Sequence, residues 1–175
     1  MLSGELYDAS APELVAERAR AREFLAQFNI SAAPVAERQA ILVGLLGLTA
    51  GFYIEPPFYC DYGYNIELGP NFYANFNCVL LDPAPIKIGQ NVLLGPGVHI
   101  YTATHPLAAQ ERRSGLEAAY PVEIGDDVWI GGGAIICPGV KIGAGSAIGA
   151  GSVVTRAIPA GVLALGNPAR VVRSL

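Results

Sequence analysis

Charge is scarce in this chain. Only 15% of its 175 residues are charged, against about 25% in an ordinary globular protein. Such scarcity points to faces covered by other subunits. Histidine is scarcer still, with only His99 and His105. A zinc site built from three histidines would need more than these two, so no metal site is expected. The three cysteines, Cys60, Cys78 and Cys137, are odd in number and match no metal spacing. Free thiols in a reducing cytoplasm are the expectation. No basic stretch followed by an apolar run marks a secretory signal. The most apolar segment, 40–50, is too short to span a bilayer, so no membrane partner is expected. A net charge of −4 argues against a nucleic-acid partner.

What is present is a count of six. Ile124, Ile130, Ile136, Ile142, Ile148 and Val154 recur at that period. Two residues before them stand Val122, Val128, Ala134, Val140, Ser146 and Ser152, and three residues after the first five stand Asp127, Gly133, Gly139, Gly145 and Gly151. Strand side chains alternate between faces, and six is even, so each unit returns its apolar pair to one core. Gly and Asp tolerate the left-handed backbone of a sharp corner. The frame extends backward through Leu68, Ala74, Leu80, Ile88, Leu94 and Ile100, with corner residues Asn71, Asn77, Asn91 and Gly97 and a two-residue slip at 82–85. Strand and corner without an intervening helix describe a parallel β-helix of hexapeptide repeats over about 66–157.

Outside the repeat, residues 1–51 read as a helical region. Ser10 to Glu13 forms a capping-box pattern. One helix is predicted over about 12–28, with Leu14, Val15, Leu25 and Phe28 on its buried side and Asn29 and Ser31 breaking it. A second is predicted over about 34–46, stopped by Gly47. The pair either caps the open end of the solenoid or closes over a substrate. Residues 52–65 are rich in aromatics, with Glu55 and Asp61 among them. They either stack on a sugar ring or seal the junction to the solenoid. The β-helix domain is taken as 66–165, with a C-terminal tail at 166–175.

Three features break the pattern. The segment 102–121 is too long for an ordinary connection and carries His105, a side chain suited to proton transfer near neutrality. One residue after the unit position stands Gly69, Gly89, Gly95, Gly125, Gly131, Gly143 and Gly149, whereas Asn75, Leu81, Tyr101, Cys137 and Thr155 depart from this. Asn75 can donate and accept hydrogen bonds, or can simply serve as a left-handed corner. From Val128 onward there are four basic residues, Lys141, Arg156, Arg170 and Arg173, and no acid, while the preceding residues hold all fifteen. That end suits a polyanionic small ligand, or is merely a solvated terminus.

GELYDAS at 4–10, CDYGYNIELG at 60–69, NFYANFNCVLLD at 71–82, THP at 104–106, VWIGGGAIICPGVKIG at 128–143 and GNPARVVR at 166–173 resemble the maltose/galactoside O-acetyltransferase group of hexapeptide-repeat acyltransferases. The resemblance covers nearly the whole chain. It implies a mostly β protein, a left-handed parallel β-helix of triangular section with a small N-terminal helical cap and one long inserted loop. It implies a homotrimer with active sites between subunits, acetyl-CoA as donor, a sugar hydroxyl as acceptor and no metal. Transfer would be direct, without an acyl-enzyme. His105 resembles the family's catalytic base and Asn75 its acceptor-orienting residue. Glu117 resembles an acid assisting the acceptor or the histidine. Tyr73, Asp61 and Asp8 fall at acceptor contacts, and Trp129 is a pocket wall or a trimer contact. Gly131, Gly132, Gly149 and Ala150 would line the pantetheine arm, with Thr155, Arg156, Arg170 and Arg173 toward the far end of coenzyme A and its phosphates. Pro83 and Gly132 depart from the acid and the serine of some members. A non-sugar hydroxyl acceptor is the alternative within this chemistry. A purely structural β-helix would need neither the long loop nor the basic end.

Overall fold

The computed structural model describes residues 1–30, 33–48 and 51–175. Helix α1 spans Pro12–Asn29 and α2 spans Val35–Leu46. Gly47 ends α2 in the left-handed conformation at φ 69°, its N–H bonded to Val43 O. The expected break at Ser31 lies outside the described residues. The capping box does not form. Asp8 accepts from both the Ser10 N–H (2.8 Å) and its hydroxyl (2.6 Å), so Ser10 turns back on Asp8, and Ala11 is the N-cap. Pro12 follows, whose missing N–H needs no acceptor. Val15, expected on the buried side, is exposed, and Ala21 is buried with Leu25 and Phe28.

Among the described residues the strands form three main sheets, and consecutive strands step from one to the next. The first face has seven strands, the second five and the third four. Within the repeats each coil takes eighteen residues, so Ile130 pairs with Ile148 and Ile136 with Val154. The earlier coils take twenty, as Ala74 pairing with Leu94 shows. The unit isoleucines and their partners two residues before line the interior, with Ile86, Val92, Ile100, Val122, Ile130 and Ile136 fully buried. The corner types adopt the expected conformation: Asn71, Asn77, Asn91 and Asp127 lie at φ 56–61°.

Coiling begins earlier than the count of six does. Phe52–Ile54 and Phe58–Cys60 already pair in parallel with Phe72–Ala74 and Cys78–Leu81. The helices close the edges these first strands expose. Asn29 donates to Phe58 O and accepts from Phe58 N–H, each at 2.9 Å, and Gln39 donates to Phe52 O at 3.1 Å. An uncovered strand edge invites pairing with another chain; here side-chain amides take its place. At the far end, Val162–Gly166 and Ala169–Ser174 form an antiparallel pair extending the first face.

The outward rows differ by face. The third carries Glu67, Lys87, Glu123 and Lys141 in register, with ion pairs Lys87–Glu67 at 3.5 Å and Lys141–Glu123 at 2.9 Å. The first carries Tyr53, Tyr73, Leu93, Trp129, Ala147 and Leu163. The second carries Tyr59, Val79, His99, Ile135 and Val153. Two faces of the prism therefore show apolar rows, with Leu93 47% and Trp129 56% exposed. Among the described residues, no helix is long and apolar enough to cross a membrane.

Candidate active site

The inserted loop leaves the edge between the second and third faces, after the strand His99–Tyr101. It is more ordered than its sequence suggests. Ala103–Thr104 pairs antiparallel with Ala118–Ala119, and a short helix, α3 (Ala109–Arg112), turns at the tip. Its root is fixed by buried Thr102, whose hydroxyl donates to Leu81 O (2.9 Å) and accepts from Ala84 N–H (3.0 Å). The two-residue slip at 82–85 is thus the loop's anchor.

His105 directly follows the outward strand and Glu117 directly precedes the returning one. His105 Nε2 lies 3.6 Å from Glu117 Oε2, with the His105 side chain 57% exposed and Glu117 only 16%. The N-terminal segment fastens the returning arm. Tyr7 and Glu117 exchange backbone hydrogen bonds of 2.9 and 3.1 Å, and the Tyr7 hydroxyl donates to Glu117 Oε1 at 2.6 Å. Burial and the adjacent carboxylate push the pKa of the Tyr7 phenol far above its ordinary value, so it keeps its proton.

Asp61 stands close by at the same edge. Fully buried Asp82 holds its turn, accepting the N–H groups of Asp61 (3.0 Å), Tyr62 (2.9 Å) and Gly63 (2.8 Å). Burial raises the pKa of Asp61, Arg18 and Arg22 oppose the rise, and Glu117 adds to it. Arg18 donates to the Tyr62 hydroxyl and to Ala9 O, each at 2.7 Å. The structure therefore brings together His105, Glu117 and Asp61 from the expected set. It adds Tyr7, Arg18 and Asp82, which sequence reasoning missed. The slip in the count of six beside Asp82 was the available signal for one of them.

Asp8 is exposed and bonded to Ser10. It lines an open groove of about 510 Å³ with Arg18, Ser114 and Leu116. A depression of about 670 Å³ runs along the charged third face and shares no residue with the His105 cluster.

The remaining expected residues lie elsewhere. Tyr73 and Trp129 belong to the outward row of the first face. Asn75 follows the strand Phe72–Ala74, on the edge between the first and second faces. It is not a left-handed corner. Its Oδ1 accepts from Phe76 N–H at 2.8 Å, and its position continues the column of Gly95, Gly131 and Gly149. Glycine at the later positions of that column is required by coil packing: a Cβ on Gly131 would stand 2.5 Å from Ala150 N, and one on Gly149 2.7 Å from Leu165 Cβ. Leu81, Tyr101, Cys137 and Thr155 are a different matter, since they form the column on the loop's own edge. Gly132 and Ala150 share the edge of Asn75, whereas Thr155 and Arg156 are exposed on the loop's edge. Arg170 and Arg173 lie on the final strand, exposed. Among the described residues, Arg156, Arg170 and Arg173 form no ion pair. Among the same residues, no group of three or more His, Cys, Asp or Glu could hold a metal ion.

In one chain, then, His105 and Asn75 occupy different edges of the prism. The loop's edge offers an imidazole beside a carboxylate, able to take a proton from a bound hydroxyl. The other offers an amide and an aromatic row.

Known proteins resemble this chain in sequence and fold. Residues 1–51 match the maltose acetyltransferase hexapeptide capping motif, and residues 121–156 match the bacterial transferase hexapeptide (six repeats). The chain is 40% identical to galactoside O-acetyltransferase of Escherichia coli (strain K12), over 99% of this chain and 86% of that protein. A maltose O-acetyltransferase from Clostridium difficile 630 superposes with a TM-score of 0.97 at 48% identity, covering 99% of this chain and 94% of that one. A hexapeptide-repeat-containing acetyltransferase of Vibrio cholerae O1 biovar eltor, complexed with acetyl coenzyme A, gives 0.94 at 42% identity, covering 100% and 96%.

Proposed function

The chain belongs to the maltose/galactoside O-acetyltransferase group of hexapeptide-repeat acyltransferases, and from that membership we propose that it transfers acetyl from acetyl-CoA to a sugar hydroxyl with His105 as general base. The observation that carries this reading is the His105–Glu117 pair, held at the root of an excursion from an otherwise regular scaffold. An alcohol attacks a thioester slowly unless a base takes its proton as the new bond forms. His105 takes that proton while the acceptor oxygen attacks the acetyl carbonyl, and passes it to the departing sulfur. Glu117 holds the charge that the imidazole gains during the exchange. Asn75 orients the acceptor from its own edge and Tyr73 from the adjoining first face, with Asp61 and Asp8 contacting further hydroxyls. Acetyl-CoA supplies the acetyl group as an activated thioester. Gly131, Gly132, Gly149 and Ala150 fit the wall along its pantetheine arm, and Trp129 fits a wall of the acceptor pocket or a contact between subunits. Thr155, Arg156, Arg170 and Arg173 fit its phosphate-bearing end, because three of them are arginines without an acidic partner among the described residues.

A complete site draws on both edges, and that favours a homotrimer with each site between neighbours. The two apolar outward rows support it, as does the charged third face, which is suited to water. A heterologous contact of one edge with the other gives a ring when its rotation closes, and the proposed trimer is such a ring. Three unpaired thiols fit a reducing, cytoplasmic setting.

Thiol release from acetyl-CoA, measured across a panel of sugars, tests the reading. His105→Ala should lower kcat by about 10² to 10⁴ with KM for acetyl-CoA little changed. Equal release by wild type and variant would remove His105 as the base. No stimulation by any sugar would remove the acceptor class.

A further inference from the structure

We infer that Tyr7 is a positioning residue of the reaction, its hydroxyl holding the Glu117 carboxylate in the orientation that faces His105. This inference rests on the acetyl-transfer reading above.

Glu117 has two oxygens with separate tasks. Oε1 accepts the Tyr7 hydroxyl at 2.6 Å, and Oε2 faces His105 Nε2 at 3.6 Å. A carboxylate on a free side chain samples several rotamers, and a charge-assisted hydrogen bond to one oxygen fixes where the other points. Tyr7 suits this task because it stays a donor: burial and the Glu117 charge both oppose its ionisation. Its backbone is fixed as well. The residue pair Tyr7 and Glu117 forms an antiparallel bridge with both hydrogen bonds made, so phenol and carboxylate stand on the same side of a two-segment strap. The N-terminal region therefore does more than close the solenoid. Its first segment reaches across to the inserted loop and sets the geometry of the carboxylate beside the base.

This arrangement separates the hydroxyl from the fold. Tyr7→Phe removes one oxygen and leaves the ring and the backbone bridge in place, so the strap should remain docked, as the thermal midpoint will report. The test is a double-mutant cycle with Glu117→Gln, read as kcat and KM for acetyl-CoA with the best sugar acceptor. Tyr7→Phe should lower kcat about tenfold, the size expected for one hydrogen bond to a charged group. KM for acetyl-CoA should stay within about twofold, because no part of the coenzyme wall is touched. Glu117→Gln should lower kcat at least as far, and the double variant should be no slower than Glu117→Gln alone, since the hydroxyl acts only through that carboxylate. A wild-type kcat for Tyr7→Phe overturns the proposal, and so do effects that multiply in the double variant. Failure of the underlying reading looks different: His105→Ala would then retain wild-type activity, whatever Tyr7→Phe does.

Discussion

Asp61 is a carboxylate whose surroundings pull in opposite directions. Burial favours its neutral form, Arg18 and Arg22 favour its charge, and Glu117 opposes it; the balance is a raised pKa. A group protonated more readily in the folded state binds more protons there, so its contribution to stability is complete below the unfolded value near 3.8 and is lost as pH rises through the folded one. Asp61→Asn removes that dependence. Unfolding midpoints of wild type and Asp61→Asn, followed from pH 3 upward through the carboxylate range, should show wild type losing ground to the variant as pH rises. Parallel curves would mean that Asp61 is not destabilised by its site. Asp82, also raised by burial, is present in both proteins, so its effect cancels in the comparison. The position of Asp61 was legible from its sequence motif. Its company was not, because Arg18 and Tyr7 approach from segments separated by more than forty residues, and no periodicity links them.

At the scale of the element, the column of glycines after the unit isoleucines is set by distance between coils rather than by corner geometry. A Cβ on Gly143 would stand 2.3 Å from Ala160 N, whereas one on Gly145 would meet nothing within 4 Å, although its φ is 68°. Gly143→Ala should therefore cost about 3 kcal/mol, since backbone must move to admit it. Gly145→Ala should cost about 1 kcal/mol from left-handed strain alone. Denaturant unfolding of both variants checks the order, and an equal or larger loss for Gly145→Ala would remove the coil-contact explanation. The repeat was readable from sequence because its corners use residues that accept φ > 0 and its interior alternates strictly. Its start was missed because Pro57 stands at the corner position after Ile54, and Glu55 and Asp61 stand where later coils usually have glycine. The capping box was misread for a local reason: Asp8 captures the Ser10 hydroxyl that the box requires.

The whole molecule presents half of its expected chemistry on each of two edges. The count of six gives each residue its place along the coils and puts His105 at one edge and Asn75 at another, but it does not say which edges meet. The apolar rows on the first and second faces and the ion-paired third face fit the homotrimer proposed above, in which the missing partner would be another copy. Each site in such a ring takes His105 from one subunit and Asn75 from its neighbour. His105→Ala and Asn75→Ala homotrimers should then both be nearly inactive. When the two are unfolded together and refolded as a mixture, random assembly leaves about one site in four with both residues intact. Activity should therefore recover to about a quarter of wild type in the mixture, but not when either variant is refolded alone or with the His105→Ala/Asn75→Ala double variant. A mixture as inactive as its components would place both residues in one chain's own site, which the separation of their edges opposes. Recovery near one quarter would also exclude a site built entirely within a subunit, because no chain in the mixture carries both residues.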